Sequence, residues 1–379
     1  MKRDIIILLG GQSTQAMMFA YQFGLLGYDV ITYSTSPSAY RHSKWIKKEL
    51  ICSLEDFTPE QVHEDLNGFN ILMIIPMEDD WQTSYSSKFF KNEKNIPEPY
   101  VNKNQVNMLA DKLSLAKLCI ELNIPVPTLY DYNNPNDIKS ISYPVILKPR
   151  FGTGARGFYI ARDEERLLLK INSESINKDN FFIQKYLSQE GRQFKYSAMC
   201  WNGKPTSFIV IEKLDYYPLN GGSSVNARPI VNNEIRCYAE KLISHSNWTG
   251  FIDFDFIEDL EQQKILILET NPRPPACIGV AFGAGVNFMK EYQAIIESET
   301  PVPDFHYSSP NKVIKFKYFS LLILANISNF LRKILSINFS AFAPQESPSG
   351  ELKILFLKSI ENIKKLIKID FIKDKFTRK

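Results

Sequence analysis

The spacing of apolar residues changes period several times along the chain, and each change predicts an element. Ile5–Leu9 is a continuous apolar run that stops at the polar loop Gly10–Gln15. Ala16–Leu26 follows with helical spacing, and Gly27-Tyr-Asp-Val-Ile-Thr-Tyr33 returns to a strand pattern. Ile71–Ile75 is another short apolar run, ending at Pro76-Met-Glu78-Asp79-Asp80. Strands alternating with helices in this way predict a parallel sheet covered on both faces. Ligands of such sheets gather at the carboxyl ends of the strands, so Gly10–Gln15 and Glu78–Asp80 are candidate substrate contacts.

From Asn102 to Leu122 the spacing predicts a helix containing Asp111-Lys112, closed by Asn123-Ile-Pro125-Val-Pro127. Residues 143–149 and 157–161 read as a hairpin around a glycine-rich loop, followed by a helix over Arg162–Asn172 and a strand over Phe181–Leu187. Tyr196–Trp201 and Thr206–Lys213 read as paired strands turning at Asn202-Gly203. After a helix over Asn232–Ser244, Phe251–Ile257 and Ile265–Glu269 form a second hairpin. That order predicts two antiparallel sheets in a mixed body.

Composition narrows the class. A chain of 379 residues with 44% hydrophobic and 23% charged residues is expected to form two or three soluble subdomains. The net charge of +3 is uneven: residues 310–379 hold 14 Lys/Arg against 5 Asp/Glu, leaving the remainder mildly acidic. The five cysteines are scattered, which argues for reduced thiols in a cytoplasmic setting and against a zinc site. No Ser/His/Asp or Cys/His constellation suggests a covalent nucleophile. The first strand–loop–helix unit, Ile5–Leu26, lacks G-x-G-x-x-G, so a nicotinamide cofactor is not expected, nor is nucleic acid a partner.

Two motifs carry the chemistry. In Tyr143-Pro-Val-Ile-Leu-Lys148-Pro-Arg150 a strand delivers a lysine into the loop Gly152-Thr153-Gly154-Ala-Arg-Gly157. Such glycines let a loop fold with its N–H groups on phosphate oxygens, while Lys148 supplies a point charge for a triphosphate and Lys112 reads equally as a second such charge or as a solvated helix face. About a hundred residues later come Asp253-Phe-Asp255-Phe and Glu269-Thr-Asn271-Pro-Arg273. Asp253, Glu269 and Asn271 are hard oxygen ligands of the kind Mg²⁺ takes. Asp255 shares a strand face with Asp253 and reads equally as a supporting partner or a cross-strand charge. Arg273 and Arg228 are candidate catalytic cations, the first for negative charge developing on a reaction intermediate, the second for gripping a carboxylate.

In their order, Asp111-Lys112, Tyr143–Pro149, Gly152–Gly157, Ile183-Gln-Lys-Tyr-Leu187, Gly221-Gly222-Ser223-Ser224 and Glu269–Arg273 resemble the ATP-grasp superfamily. The similarity is to the branch that includes biotin carboxylase and the carbamoyl phosphate synthetase large subunit. It implies an α/β N-terminal pre-ATP-grasp domain (1–101), and an α+β ATP-grasp fold with two lobes of antiparallel sheet (102–180 and 181–309). A helical C-terminal extension (310–379) would follow. It further implies that Gln184, Lys185, Tyr186 and Leu187 form the hinge whose backbone reads adenine. Gln184 and Gln193 stand where that family carries glutamates, Gln193 at the ribose. The implied cofactors are ATP and Mg²⁺, with Mn²⁺ as an alternative ion. The implied activity joins a small carboxylate to an amine through an acyl phosphate. A phosphotransferase acting on a hydroxyl and a non-catalytic ATP sensor stay open, as does a homodimer.

The tail holds two apolar stripes: Phe319 to Ile334, and Leu352, Phe356, Ile360, Ile363 and Ile367 among lysines. Either both helices pack on the body, or residues 315–369 lie on the anionic inner face of a membrane.

Overall fold

The computed structural model describes residues 2–131, 134–152, 157–172, 178–217, 223–305, 313–314 and 348–367. The N-terminal unit is the expected parallel sheet, ordered β3-β2-β1-β4. Its strands are β1 (Arg3–Leu9), β2 (Asp29–Ser34), β3 (Lys48–Ile51) and β4 (Phe69–Pro76). Helices α1 (Thr14–Leu25), α2 (Pro59–Asp65) and α3 (Asp79–Lys88) cover it. Ile6 and Leu8 point into one apolar cluster and Ile5, Ile7 and Leu9 into another, which is why β1 reads as an unbroken apolar run.

The predicted Asn102–Leu122 helix is two helices, α4 (Lys103–Ala110) and α5 (Lys112–Glu121). Asp111 breaks it with ψ 109 and caps α5 through the Leu113 N–H, at 3.1 Å. The same carboxylate accepts from Ser114 Oγ at 2.7 Å and pairs with Arg150. Burial would raise the Asp111 carboxyl, but Arg150 and Ser114 hold it below the usual carboxylate range. The break sets Lys112 on the first turn of α5, where its side chain reaches the glycine loop.

The first antiparallel sheet is ordered β5-β8-β6-β7, from β5 (Leu129–Tyr130), β6 (Val145–Pro149), β7 (Tyr159–Ala161) and β8 (Phe181–Lys185). Helices α6 (Pro135–Ser140) and α7 (Glu164–Ile171) belong to the same stretch. The second sheet is built on β9 (Gln193–Trp201), β10 (Lys204–Tyr217), β11 (Ser223–Ile230), β12 (Gly250–Asp259), β13 (Lys264–Asn271) and β14 (Val313–Ile314). Its order is β13-β12-β9-β10-β11-β14. Asn202 and Gly203 turn β9 into β10 with φ of 48° and 73°, as that dipeptide predicted. Strand β11 and helices α9 (Gly279–Gly283) and α10 (Met289–Ile296) were not anticipated, whereas α8 (Asn233–His245) was.

Period-two alternation divides the second sheet. Phe194, Tyr196, Phe254 and Phe256 join the core that contains α8 residues Ile235, Ala239 and Leu242. Met199, Ile209, Ile211 and Phe251 pack on the opposite face with α1 and α10. The polar residues of that second face therefore gather beyond the apolar contact, beside the N-terminal unit.

The first tail stripe and residues 368–379 lie outside the described residues. The second forms α11 (Leu352–Ile367). It docks on the body through buried Ile354, through Glu361 accepting from the Ala39 N–H at 2.7 Å, and through Lys358 over the Tyr40 ring at 4.1 Å. Docking of this helix on the body agrees with the simpler expectation, while Leu352 and Phe356 are 79% and 66% exposed. Ile354 and Glu361 lie on the other side of the helix from these two residues.

Candidate functional site

The site lies between the two antiparallel sheets. Lys112 Nζ, on α5 packed against β13, donates to the Gly152 carbonyl at 2.5 Å and sits 3.6 Å from Glu269 Oε2 on β13. Partly buried Lys148, on β6, shares this space. Burial pulls its ammonium below the ordinary lysine value; Glu269 and Asp255 act against that shift and Lys112 adds to it. Lys112, Lys148 and Glu269 thus converge, as the two motifs required. Gly152 and Gly157 have φ of 112° and 73°, a conformation that side chains with a Cβ rarely adopt. Thr153 and Gly154 lie outside the described residues.

On the second sheet the register aligns Asp255 with Glu269 and Asp253 with Asn271 across the β12–β13 hairpin. Pairing of β12 with β9 sets Lys195 opposite Asp255 and Ser197 opposite Asp253. Lys195 Nζ donates to Asp253 Oδ2 at 2.5 Å and to Asp255 Oδ2 at 2.8 Å, and Lys213 Nζ lies 2.6 Å from Asp255 Oδ1. Ser197 Oγ donates to Asp253 Oδ1 at 2.6 Å. Burial disfavours charge on Asp255, yet Lys195 and Lys213 hold its carboxyl well below the usual range. Burial likewise disfavours the Lys195 ammonium, and the two aspartates more than compensate, keeping it above an ordinary lysine. Neither lysine was singled out from sequence. The available signal was Gln193, Lys195 and Ser197 alternating with Phe194 and Tyr196, which is meaningful only once β12 is known to be the neighbour.

Several expected roles change. Asp253 is fully enclosed by Ser197, Lys195 and Asn271, so the acid facing Glu269 is Asp255. Asn271 Nδ2 donates to Asp255 at 3.0 Å and to Asp253 at 3.3 Å, while its Oδ1 accepts from Arg273 at 3.0 Å. With carboxylates on one side and a guanidinium on the other, the amide has one sensible orientation, and its oxygen faces Arg273 rather than a metal shell. Arg273 Nε also pairs with Asp79 at 3.0 Å, joining this site to the N-terminal unit. Nearby in that unit, Gln12 Nε2 donates to Glu78 Oε2 at 2.6 Å, so the two candidate substrate loops do meet. Arg228 pairs with Glu212 directly across β10–β11 at 2.7 Å.

The hinge is likewise partly committed. The Lys185 and Tyr186 N–H groups donate to Thr128 and Pro144 carbonyls at 2.8 and 3.1 Å, which removes them from base reading. Gln184 is buried and donates to the Pro127 carbonyl at 3.3 Å, acting as a pin between segments. The Lys185 side chain pairs with Glu261. Leu187 is buried beside Ile257 and Leu266. Gln193 is buried and donates to Gln189 Oε1 at 3.0 Å.

The donor set suits a magnesium ion carried on a nucleotide. Among the described residues, no three Asp, Glu, His or Cys side chains form a ready-made cage. Mg²⁺ is ordinarily held by one or two carboxylates plus substrate phosphates, and Glu269, partly exposed beside Lys112, meets that need.

Residues 109–277 match the family model described as the ATP-grasp domain. This segment has the ATP-grasp fold. The carbamoyl phosphate synthase large chain of Clostridium perfringens is 26% identical to this chain over 204 residues, covering 51% of it and 19% of the relative. The chain thus spans about a fifth of the length of the curated relatives it matches. The solved N5-carboxyaminoimidazole synthetase from Staphylococcus aureus, complexed with ADP, superposes with a TM-score of 0.65 at 15% identity, over 87% of each chain. The biotin carboxylase domain of Hydrogenobacter thermophilus 2-oxoglutarate carboxylase, a dimer in complex with MgADP, gives 0.60 at 16% identity, over 80% of this chain and 71% of that one. These likenesses establish the fold: an N-terminal parallel-sheet unit followed by the two lobes of an ATP-grasp domain. Among the described residues no helix is long and apolar enough to cross a membrane.

Proposed function

We propose that the protein is an ATP- and Mg²⁺-dependent carboxylate–amine ligase. The observation that carries the reading is Lys148, on β6 of the first sheet, acting on Glu269, on β13 of the second, with Lys112 Nζ 3.6 Å from Glu269 Oε2. These two cations and the acid would grip one triphosphate with its ion between the two sheets. Lys112 and Lys148 hold the phosphate oxygens, the Gly152–Gly157 loop closes over them, and the Leu187 backbone and Gln193 meet the nucleoside. Mn²⁺ could replace Mg²⁺ at Glu269. The bound ion would draw charge from the β- and γ-phosphates.

In the first step an oxygen of the acid attacks the γ-phosphorus and the bond to the β-phosphate oxygen breaks, releasing ADP. Positioning and charge neutralisation are what this transfer needs. The amine nitrogen then attacks the acyl carbon, phosphate leaves, and the nitrogen loses a proton to give the amide. Arg228 is the candidate grip for the acid. Arg273 fixes Asn271 and links the phosphate site to the Asp79 loop, where the second substrate would enter. Supplying hydroxylamine in place of the amine should yield a hydroxamate together with ADP and free phosphate. A stable phosphorylated product would instead support a phosphotransferase, and binding of ATP without any ADP release would support a sensor.

A separate observation favours a peripheral contact of α11 with an anionic membrane: Leu352 and Phe356 face solvent in a tail rich in lysine. The full chain should sediment with phosphatidylglycerol vesicles, and the double variant Leu352→Asp, Phe356→Asp should not. Equal sedimentation of the two would remove this reading.

A further inference from the structure

The acidic side of the site already contains cations. Asp253 and Asp255 are buried and together carry two negative charges; Lys195 and Lys213 lie against them with two positive ones. Lys195 bridges the carboxylates at 2.5 and 2.8 Å, each within hydrogen-bond distance. Strand register holds it there, since Lys195 lies directly opposite Asp255 and the neighbouring Ser197 opposite Asp253. A divalent ion ligated by both aspartates would need the place the ammonium occupies, within a few ångströms of two positive charges in a buried setting. Glu269 is different: 27% of its side chain is exposed, and the partner beside it is Lys112 from helix α5.

We propose that Lys195, supported by Lys213, is a built-in cation standing in for a second divalent ion, so that the site takes a single ion, at Glu269. This rests on the ATP-dependent reading above and specifies its metal requirement. The ammonium neutralises the aspartates permanently, and metal binding then depends on the nucleotide's own phosphates together with Glu269.

The test is a titration of Mn²⁺ into protein mixed with an equimolar amount of a non-hydrolysable ATP analogue, following free Mn²⁺ by electron paramagnetic resonance. The wild-type chain should take up one tightly bound ion, and Lys195→Ala should take up two. Two ions on the wild type would overturn the proposal, a result that needs no variant and so survives a failure of Lys195→Ala to fold. One ion on both proteins would also overturn it, because the lysine would not be what excludes the second. Uptake no greater than that of the analogue alone would overturn the ATP-dependent reading as well.

Discussion

Glu269→Gln is expected to lower the rate of ADP release by about a thousandfold or more, while nucleotide affinity changes far less. The substitution keeps the shape of the side chain and removes one charge at the point where the lobes meet. In the wild type Glu269 faces Lys112 at 3.6 Å and lies opposite Asp255, whose oxygens already receive Lys195, Lys213 and Asn271. It is therefore the carboxylate best placed to hold an ion against the phosphates as charge moves from the γ- to the β-phosphate. Steady-state assays at several Mg²⁺ concentrations, with calorimetric titration of ADP, separate the two effects. A variant retaining more than a tenth of wild-type turnover would show that Glu269 does not hold the ion.

The second large effect concerns Lys148. Replacing it with alanine should weaken ATP binding by roughly 10- to 150-fold, the usual worth of a hydrogen bond to a charged group, and turnover should fall with it. Its pH dependence is more diagnostic. Burial depresses the Lys148 ammonium below the ordinary lysine value, with Lys112 adding to the shift. The proton is consequently lost at a lower pH than from a typical lysine, and a bound triphosphate favours the charged form. ATP affinity should be level at neutral pH and decline as pH rises through that depressed value, with proton uptake on binding in the alkaline range. Lys148→Arg stays charged throughout and should flatten the decline. An unchanged alkaline decline in the arginine variant would assign the titration to another group.

How much of this was legible beforehand depended on the range over which the physics acts. Alternation in Asp253-Phe-Asp255-Phe256 put both carboxylates on one face because a strand repeats every two residues. Asn202-Gly203 turned a hairpin because its two residues accept positive φ. Gly152 and Gly157 likewise declared a loop whose backbone most residues cannot follow. The ATP-grasp resemblance added the order of these pieces and, through it, the meeting of Lys112 and Lys148 with Glu269.

What the chain's local patterns could not state was which polar groups would meet across the sheet. Lys195 is 58 residues from Asp253 and 60 from Asp255, and only the β9–β12 register joins them. The break at Asp111 depends on Arg150, 39 residues away, and the orientation of the Asn271 amide depends on Arg273, itself held by Asp79 from the N-terminal unit. Helix α11 presents a tidy apolar stripe, yet Ala39 and Tyr40 anchor the side away from Leu352 and Phe356. Backbone conformation and side-chain alternation are short-range properties and were written in neighbouring residues. Charge pairing in a buried space is a property of whichever strands become neighbours, and tertiary structure alone decided that.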